Sequence, residues 1–184
     1  MSGDALATLI RPRQPGDGQG LAQVWLDSAR YYANLDPERF QVPDAQGLEN
    51  WFEERSARAM GDDQFDRVAD IDGQVVGLVH AVIMEPLESA PRQVLRELAW
   101  RRLMVNALAV HSAFWRRGIG RQLLEAAEAW GRARGARVVL LDTYIGSDVS
   151  VPFYEHGMGY RRQSLVFSKA LTQLTDSSVA AARA

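Results

Sequence analysis

The run Trp115-Arg116-Arg117-Gly118-Ile119-Gly120-Arg121 sets three guanidinium groups around two glycines, where an apolar stretch gives way to an amphipathic one. The chemistry of such a place is anion binding. Glycine lets backbone N–H groups approach a ligand closely, where a Cβ would stand in the way. A helix that starts here also points its uncapped N–H groups and the positive end of its dipole into the same loop. A tight turn beside solvated arginines has the same composition, so the surroundings must decide. Two nucleotide-binding patterns are excluded: no Gly-Lys-Ser/Thr follows at Walker spacing, and the glycines do not form Gly-x-Gly-x-x-Gly.

A second cluster lies downstream, Asp148-Val149-Ser150-Val151-Pro152-Phe153-Tyr154-Glu155-His156-Gly157-Met158-Gly159-Tyr160. Taken alone, its Phe-Tyr pair reads as packing on a short helix. What matters is that it follows the glycine loop across one strand–helix–strand unit.

The elements that must position these clusters are legible from periodicity and punctuation. Residues 7–11 form a short apolar segment stopped by Pro12 and Pro15, suited to a first strand. A helix follows from about Asp17, with Leu21, Val24, Trp25, Ser28 and Tyr32 on one face, and ends before Pro37. A second helix is expected over residues 44–60. Residues 65–71 and 74–84 read as a hairpin turning at Asp72-Gly73, a dipeptide suited to a type I′ turn. His80, inside its second strand, is expected to be a packed, hydrogen-bonded histidine. Residues 86–102 make a long connection with room for a short helix at Val94, Leu95 and Leu98.

Residues 103–110 are apolar enough for a strand buried on both faces. Residues 118–134 then form an amphipathic helix whose inner stripe is Ile119, Leu123, Ala126, Ala127 and Trp130. Residues 137–142 are a second buried strand, so the three make a right-handed parallel crossover. Its loop lies at the carboxyl end of the first strand, where α/β sheets bind ligands. A short helix over residues 148–155 and one or two closing strands over residues 160–169 complete the pattern.

With 184 residues, one domain is expected, placed over residues 1–171 with a frayed tail over 172–184. The net charge of −2 offers no general attraction to nucleic acid or an anionic membrane, so the arginines act locally. The absence of cysteine excludes disulfides, thiolate zinc sites and a cysteine nucleophile. No metal site is expected. No basic leader with a long apolar run opens the chain, and no apolar window reaches membrane-spanning length, which makes the cytoplasm the expected compartment.

Strand, Arg-Arg-Gly-Ile-Gly and helix together resemble the acetyl-CoA-binding motif of the GNAT superfamily of N-acetyltransferases, Gln/Arg-x-x-Gly-x-Gly/Ala. Gly118 and Gly120 fall on its two small positions, and Trp115 stands where the family prefers Gln or Arg. The downstream cluster resembles the second signature, Asn-x-x-Ala-x-x-Tyr-Glu. Here Asp148 stands for Asn and Val151 for Ala, and one extra residue precedes Gly159-Tyr160. The resemblance implies the GNAT fold: an α/β (α+β) chain with a mixed, mostly antiparallel twisted sheet of six to seven strands, about four flanking helices and a parallel β-α-β acetyl-CoA core. It implies direct transfer of acetyl from acetyl-CoA to a primary amine of a small molecule or protein. A non-catalytic acetyl-CoA sensor of the same fold is the alternative.

By the same resemblance, the strand end Leu108, Ala109 and Val110 would pair with the CoA arm. Trp115, Arg116, Arg117, Gly118, Ile119, Gly120 and Arg121 would hold its pyrophosphate, Asp148 would face the pantetheine, and Tyr154 would be the general acid. The first two helices would overhang the acceptor, making Tyr31, Tyr32, Arg39 and Trp51 candidates for substrate contact. No carboxylate stands on the central strand, so Glu97 and His111 are the nearest titratable candidates for a base. A homodimer is expected from the resemblance alone.

Overall fold

Turn chemistry sets the centre of the sheet. In the structure, a computed structural model that describes residues 8–57 and 61–169, Asp72 and Gly73 have φ of 52° and 85°. Two successive left-handed residues are what a type I′ turn needs. They join β2 (Gln64–Ile71) to β3 (Gln74–Met84) in an antiparallel hairpin. Around it the strand order is β1-β2-β3-β4-β5, with β1 (Leu9–Pro12), β4 (Arg102–Val110) and β5 (Val138–Leu141). Every neighbouring pair is antiparallel except β4 and β5, which are parallel.

Helices cover both faces, which explains why the inner strands are apolar without alternation. On one face α1 (Gly18–Leu35) and α2 (Leu48–Ala57) bury Leu21, Val24 and Phe52 against Val68, Val75 and Leu78. On the other, α3 (Ile119–Ala133) buries Ile119, Leu123, Leu124 and Ala127 against Val76, Val79 and Leu103. Leu124 joins the expected stripe, whereas Ala126 and Trp130 lie at its half-buried margin.

Three sequence expectations need correction. Five strands form among the described residues, not six or seven, because residues 161–169 enter no ladder and leave Leu165, Val166 and Phe167 at 63%, 82% and 88% exposure. Strand propensity is not enough: a strand exists only where an edge receives its N–H and C=O groups. The second helix begins at Leu48, since Asp44 takes the N–H of Gln46 in a turn and Gly47 is left-handed. Its expected end at Met60 lies outside the described residues, as do Ala7 and the tail. The long connection holds two short 3-10 turns, Ala90–Arg92 and Arg96–Ala99, instead of one short helix through Val94, Leu95 and Leu98, and Val94 between them is fully exposed.

Charge fixes how α1 enters the fold. Arg11 on β1 donates to both oxygens of Asp17, at 2.7 and 2.8 Å, and to Asp70 on β2 at 2.8 and 2.9 Å. Asp17 and Asp70 are both buried and also receive the N–H groups of Gln14 and Gly73. Glu53 of α2 accepts from the N–H groups of Gly16 and Gly18, so one helix caps the other. Arg11→Ala leaves two buried carboxylates without their cation; we expect a loss of about 3 kcal/mol, read as a fall of roughly 6 to 12 °C in Tm.

Candidate active site

The sheet opens where two ladders end. β4 and β5 pair only from Arg102 opposite Val138 to Val105 opposite Leu141. On the other side of β4, Ala107 faces His80 and Val105 faces Ala81, which leaves Asn106 as an extra, bulged residue. A bulge bends and twists its strand, and beyond this one β4 and β5 part. The gap is a cavity of about 460 Å³. Residues 105–109 line one side and residues 141–144 the other, with Trp25, Tyr32, Arg39 and Phe40 from α1 and the loop after it. That volume lies in the range of small-molecule sites, about 300–1,000 Å³.

Ladder parity then decides which backbone groups face the gap. The N–H of His111 donates to Val76 on β3, so those of Ala109 and Ala107, two and four residues back, face β3 as well. The N–H groups of Leu108 and Val110 therefore face the opposite, open edge. The carbonyl of Val110 points the same way and accepts from the Trp115 indole at 2.6 Å.

This edge leads to the start of α3. Gly118, with φ of 80°, precedes the helix without a side-chain cap, and the first helical bond is from Gln122 to its carbonyl. Arg116 also has a positive φ, 61°, a conformation that costs an ordinary residue about 1–2 kcal/mol. Two left-handed residues in three curl the loop and leave the first-turn N–H groups uncapped. A Cβ at Gly118 would meet nothing within 4 Å, so the loop is open to a guest. Arg116 and Arg117 are exposed, the latter 5.2 Å over Phe114. Arg121 instead reaches the carbonyl of Gly157 and pairs with Glu125.

Three side chains of α1 clamp this opening. Asp27 accepts from the N–H and hydroxyl of Ser112, at 2.7 and 2.9 Å, just beyond β4. Tyr31 lies 5.3 Å from the Trp115 ring, and its hydroxyl donates to Asp148 at 2.7 Å. Tyr32 is within hydrogen-bond distance of Ser150 and Thr143. The helix thus spans the ends of both diverging strands.

Tyr154 faces the cavity from a short irregular segment. Ser150–Pro152 makes one α turn, α4, which widens into a π turn over Phe153–Gly157. Burial above all, with smaller contributions from Tyr32 and Asp142, pushes the Tyr154 phenol well above its ordinary value. It stays protonated near neutrality and is a hydrogen-bond donor there, not a base.

The structure gathers some of the expected residues and separates others. Leu108, Ala109 and Tyr154 line the cavity, as do Tyr32 and Arg39. Val110, Gly118, Ile119 and Gly120 continue the open edge into the loop. Glu97 sits in the 3-10 turn at residues 96–99, and His111 caps the turn Ser112–Phe114, its Nδ1 accepting from Ala113. Neither lines the cavity. Asp148 is held by Tyr31, and Trp51 packs on Phe52 and Arg55 on the outer side of α2. Sequence reasoning missed Asp142 and Tyr144. Their signal was an acid directly after the apolar run Val-Val-Leu-Leu, at the carboxyl end of a parallel strand.

The sequence profile of the Acetyltransferase (GNAT) family matches residues 23–160. No curated protein matches the sequence. Among solved structures, the fold is similar to that of a mutant protein from Bacillus halodurans, with 20% identity over 89% of this chain and 99% of that one, at a TM-score of 0.74. It is similar to an aminoglycoside N-acetyltransferase in complex with CoA, with 17% identity, 94% and 100% coverage and a TM-score of 0.60. Glucosamine-6-phosphate N-acetyltransferase from Arabidopsis thaliana matches with 19% identity, 90% and 99% coverage and a TM-score of 0.58. At these identities the likeness is one of fold.

Proposed function

Because the chain belongs to the GNAT family of acetyltransferases, we propose that it transfers the acetyl group of acetyl-CoA to a primary amine. One observation carries this reading: a backbone edge at Leu108 and Val110, joined by no strand among the described residues, runs from the cavity to the uncapped N-terminus of α3. A ligand with an amide-bearing arm and a pyrophosphate has the matching sequence of groups, the arm pairing like an added strand and the phosphates meeting the helix start. Acetyl-CoA supplies the thioester whose acyl carbon is attacked.

The chain's own residues do the rest. The Leu108 N–H, the open-edge donor that lines the cavity, is placed to polarise the thioester carbonyl. The neutral amine forms the N–C bond as the C–S bond breaks, and the Tyr154 hydroxyl donates to the departing sulfur. On binding, Asp142, the one acidic residue lining the cavity among the described residues, pairs with the acceptor's ammonium. One proton leaves through the open cleft to free the amine, and the proton shed by nitrogen after attack replaces the one that Tyr154 gives to sulfur. Trp115 must release the Val110 carbonyl if the arm is to use that group too.

An amine of pKa about 10.4 must lose a proton first, which at pH 7 costs about 4 to 5 kcal/mol. We therefore expect kcat/KM to rise with pH toward the acceptor's own pKa. No descending limb is expected between pH 7 and 10, because burial holds Tyr154 protonated beyond that range. CoA release followed with a thiol reagent checks this, and the chain has no cysteine to interfere. A fall in rate centred near pH 8 or 9 would rule out Tyr154 as the donor.

The absence of a base matched to the amine among the cavity residues keeps one other reading in view, a protein that binds acetyl-CoA without turnover. Tight CoA binding with no thiol release on any amine would favour it.

A further inference from the structure

The cavity's polar groups are few and of opposite sign. Of the described residues that line it, Asp142 is the one acid and Arg39 the one base, and neither enters an ion pair among the described residues. The neighbouring acid Asp36 is already engaged by the Tyr144 hydroxyl, at 3.0 Å, and by the Arg39 N–H. The same cavity carries an aromatic wall. Tyr32 and Phe40 have ring centroids 5.3 Å apart, and Phe40 and Tyr144 5.1 Å. The Arg39 guanidinium lies 5.7 Å over the Phe40 ring, the one that both tyrosines flank. Asp142 lies two residues before Tyr144 and beside Tyr154, whose phenol feels its charge.

From this arrangement we infer the acceptor class: a small amine with a single positive charge, a flat aromatic body and a second, anionic group. The inference rests on the transferase reading above. The ammonium meets Asp142 next to Tyr154, where the acyl group must arrive. The body stacks on the aromatic wall, with offset or edge contacts worth about 0.5–1.5 kcal/mol each beyond burial. Its carboxylate or phosphate meets the planar fork of Arg39, which matches either anion with two parallel hydrogen bonds. A polyamine is disfavoured by the same groups: its second and third ammonium ions find no further acid and lie against Arg39, a repulsive element as well as a missing attraction.

The test compares four amines on wild type and Arg39→Gln: 4-(2-aminoethyl)benzoate, O-phosphotyramine, 2-phenylethylamine and spermidine. Thiol release gives kcat/KM, and calorimetry in the presence of CoA gives Kd independently of turnover. In the wild type we expect at least one of the two anionic amines to exceed 2-phenylethylamine by 10-fold or more in both readouts, with spermidine lowest. The stronger of the two identifies the anion. In Arg39→Gln that ratio should fall to within about threefold of one. Asp142→Asn should weaken all four amines while leaving CoA binding in place. The expected ranking in Kd without thiol release overturns the transferase reading and leaves the acceptor class standing. Thiol release with a flat or reversed ranking, a ratio unchanged in Arg39→Gln, or no binding of any of the four overturns the acceptor class.

Discussion

Gly120→Glu is expected to abolish stabilisation by acetyl-CoA while leaving the fold intact. A Cβ at position 120 would meet the Phe153 ring at 3.5 Å and the Val110 side chain at 3.8 Å, ordinary contact distances. The position therefore accepts a Cβ in ordinary contact and lies at the end of the open β4 edge. A carboxylate in the first turn of α3 is favourable to the helix by about 0.3–1 kcal/mol, but it occupies and neutralises the anion site. The substitution should thus act in opposite directions on folding and on binding. At about 100 times its Kd a ligand adds about 2.7 kcal/mol to the native state, or roughly 5 to 10 °C in Tm for a chain of this size. The wild type should show that shift with acetyl-CoA and CoA, and not with ATP or NAD. Gly120→Ala should keep most of it and Gly120→Glu none. An undiminished shift in Gly120→Glu would place the phosphates elsewhere and remove the main support for the α3 loop.

The second large effect falls on rate instead of binding. Tyr154→Phe removes a hydroxyl that lines the cavity and leaves the ring packed 5.1 Å from Phe153 and 5.9 Å from Tyr160. Stability should change little, because no side-chain partner holds that hydroxyl among the described residues. A thiol leaving group of pKa near 8.5 departs without full protonation, so the donor contributes at the low end of acid catalysis, about 100-fold in kcat. KM for acetyl-CoA should stay within about threefold. Steady-state kinetics on the best amine, with stopped-flow CoA binding as control, separates the two. An unchanged kcat would mean that the sulfur leaves unaided and that Tyr154 only fills space.

These expectations rest on parts of the molecule that were unequally visible in the sequence. The anion loop was legible because its determinants are local. Gly118, the arginines and the helix start are consecutive, and the left-handed turn they form needs no distant partner. The Asp72-Gly73 hairpin, the stripe of α3 and the parallel order of β4 and β5 were visible for the same reason: turn dihedrals and 3.6-residue spacing are written in neighbouring residues.

Tertiary structure decided what depends on partners far apart in the chain. Strand count was one such matter: the Leu-Val-Phe run at residues 165–167 has every local mark of a strand and pairs with nothing among the described residues. The cavity was another, since it exists only because a bulge at Asn106 on β4 coincides with the end of β5 opposite Val105. The direction of side chains was a third. Asp148 looked free to meet a ligand until α1 brought Tyr31 onto it from 117 residues away, and Glu97 and His111 were near the site in sequence without lining its cavity. Asp142, Arg39 and the aromatic wall come from two segments far apart in the chain, residues 32–40 and 142–144, and no spacing rule joins them. Short-range geometry encoded where an anion can sit; the closing of distant segments around a split sheet determined which charges surround the acceptor.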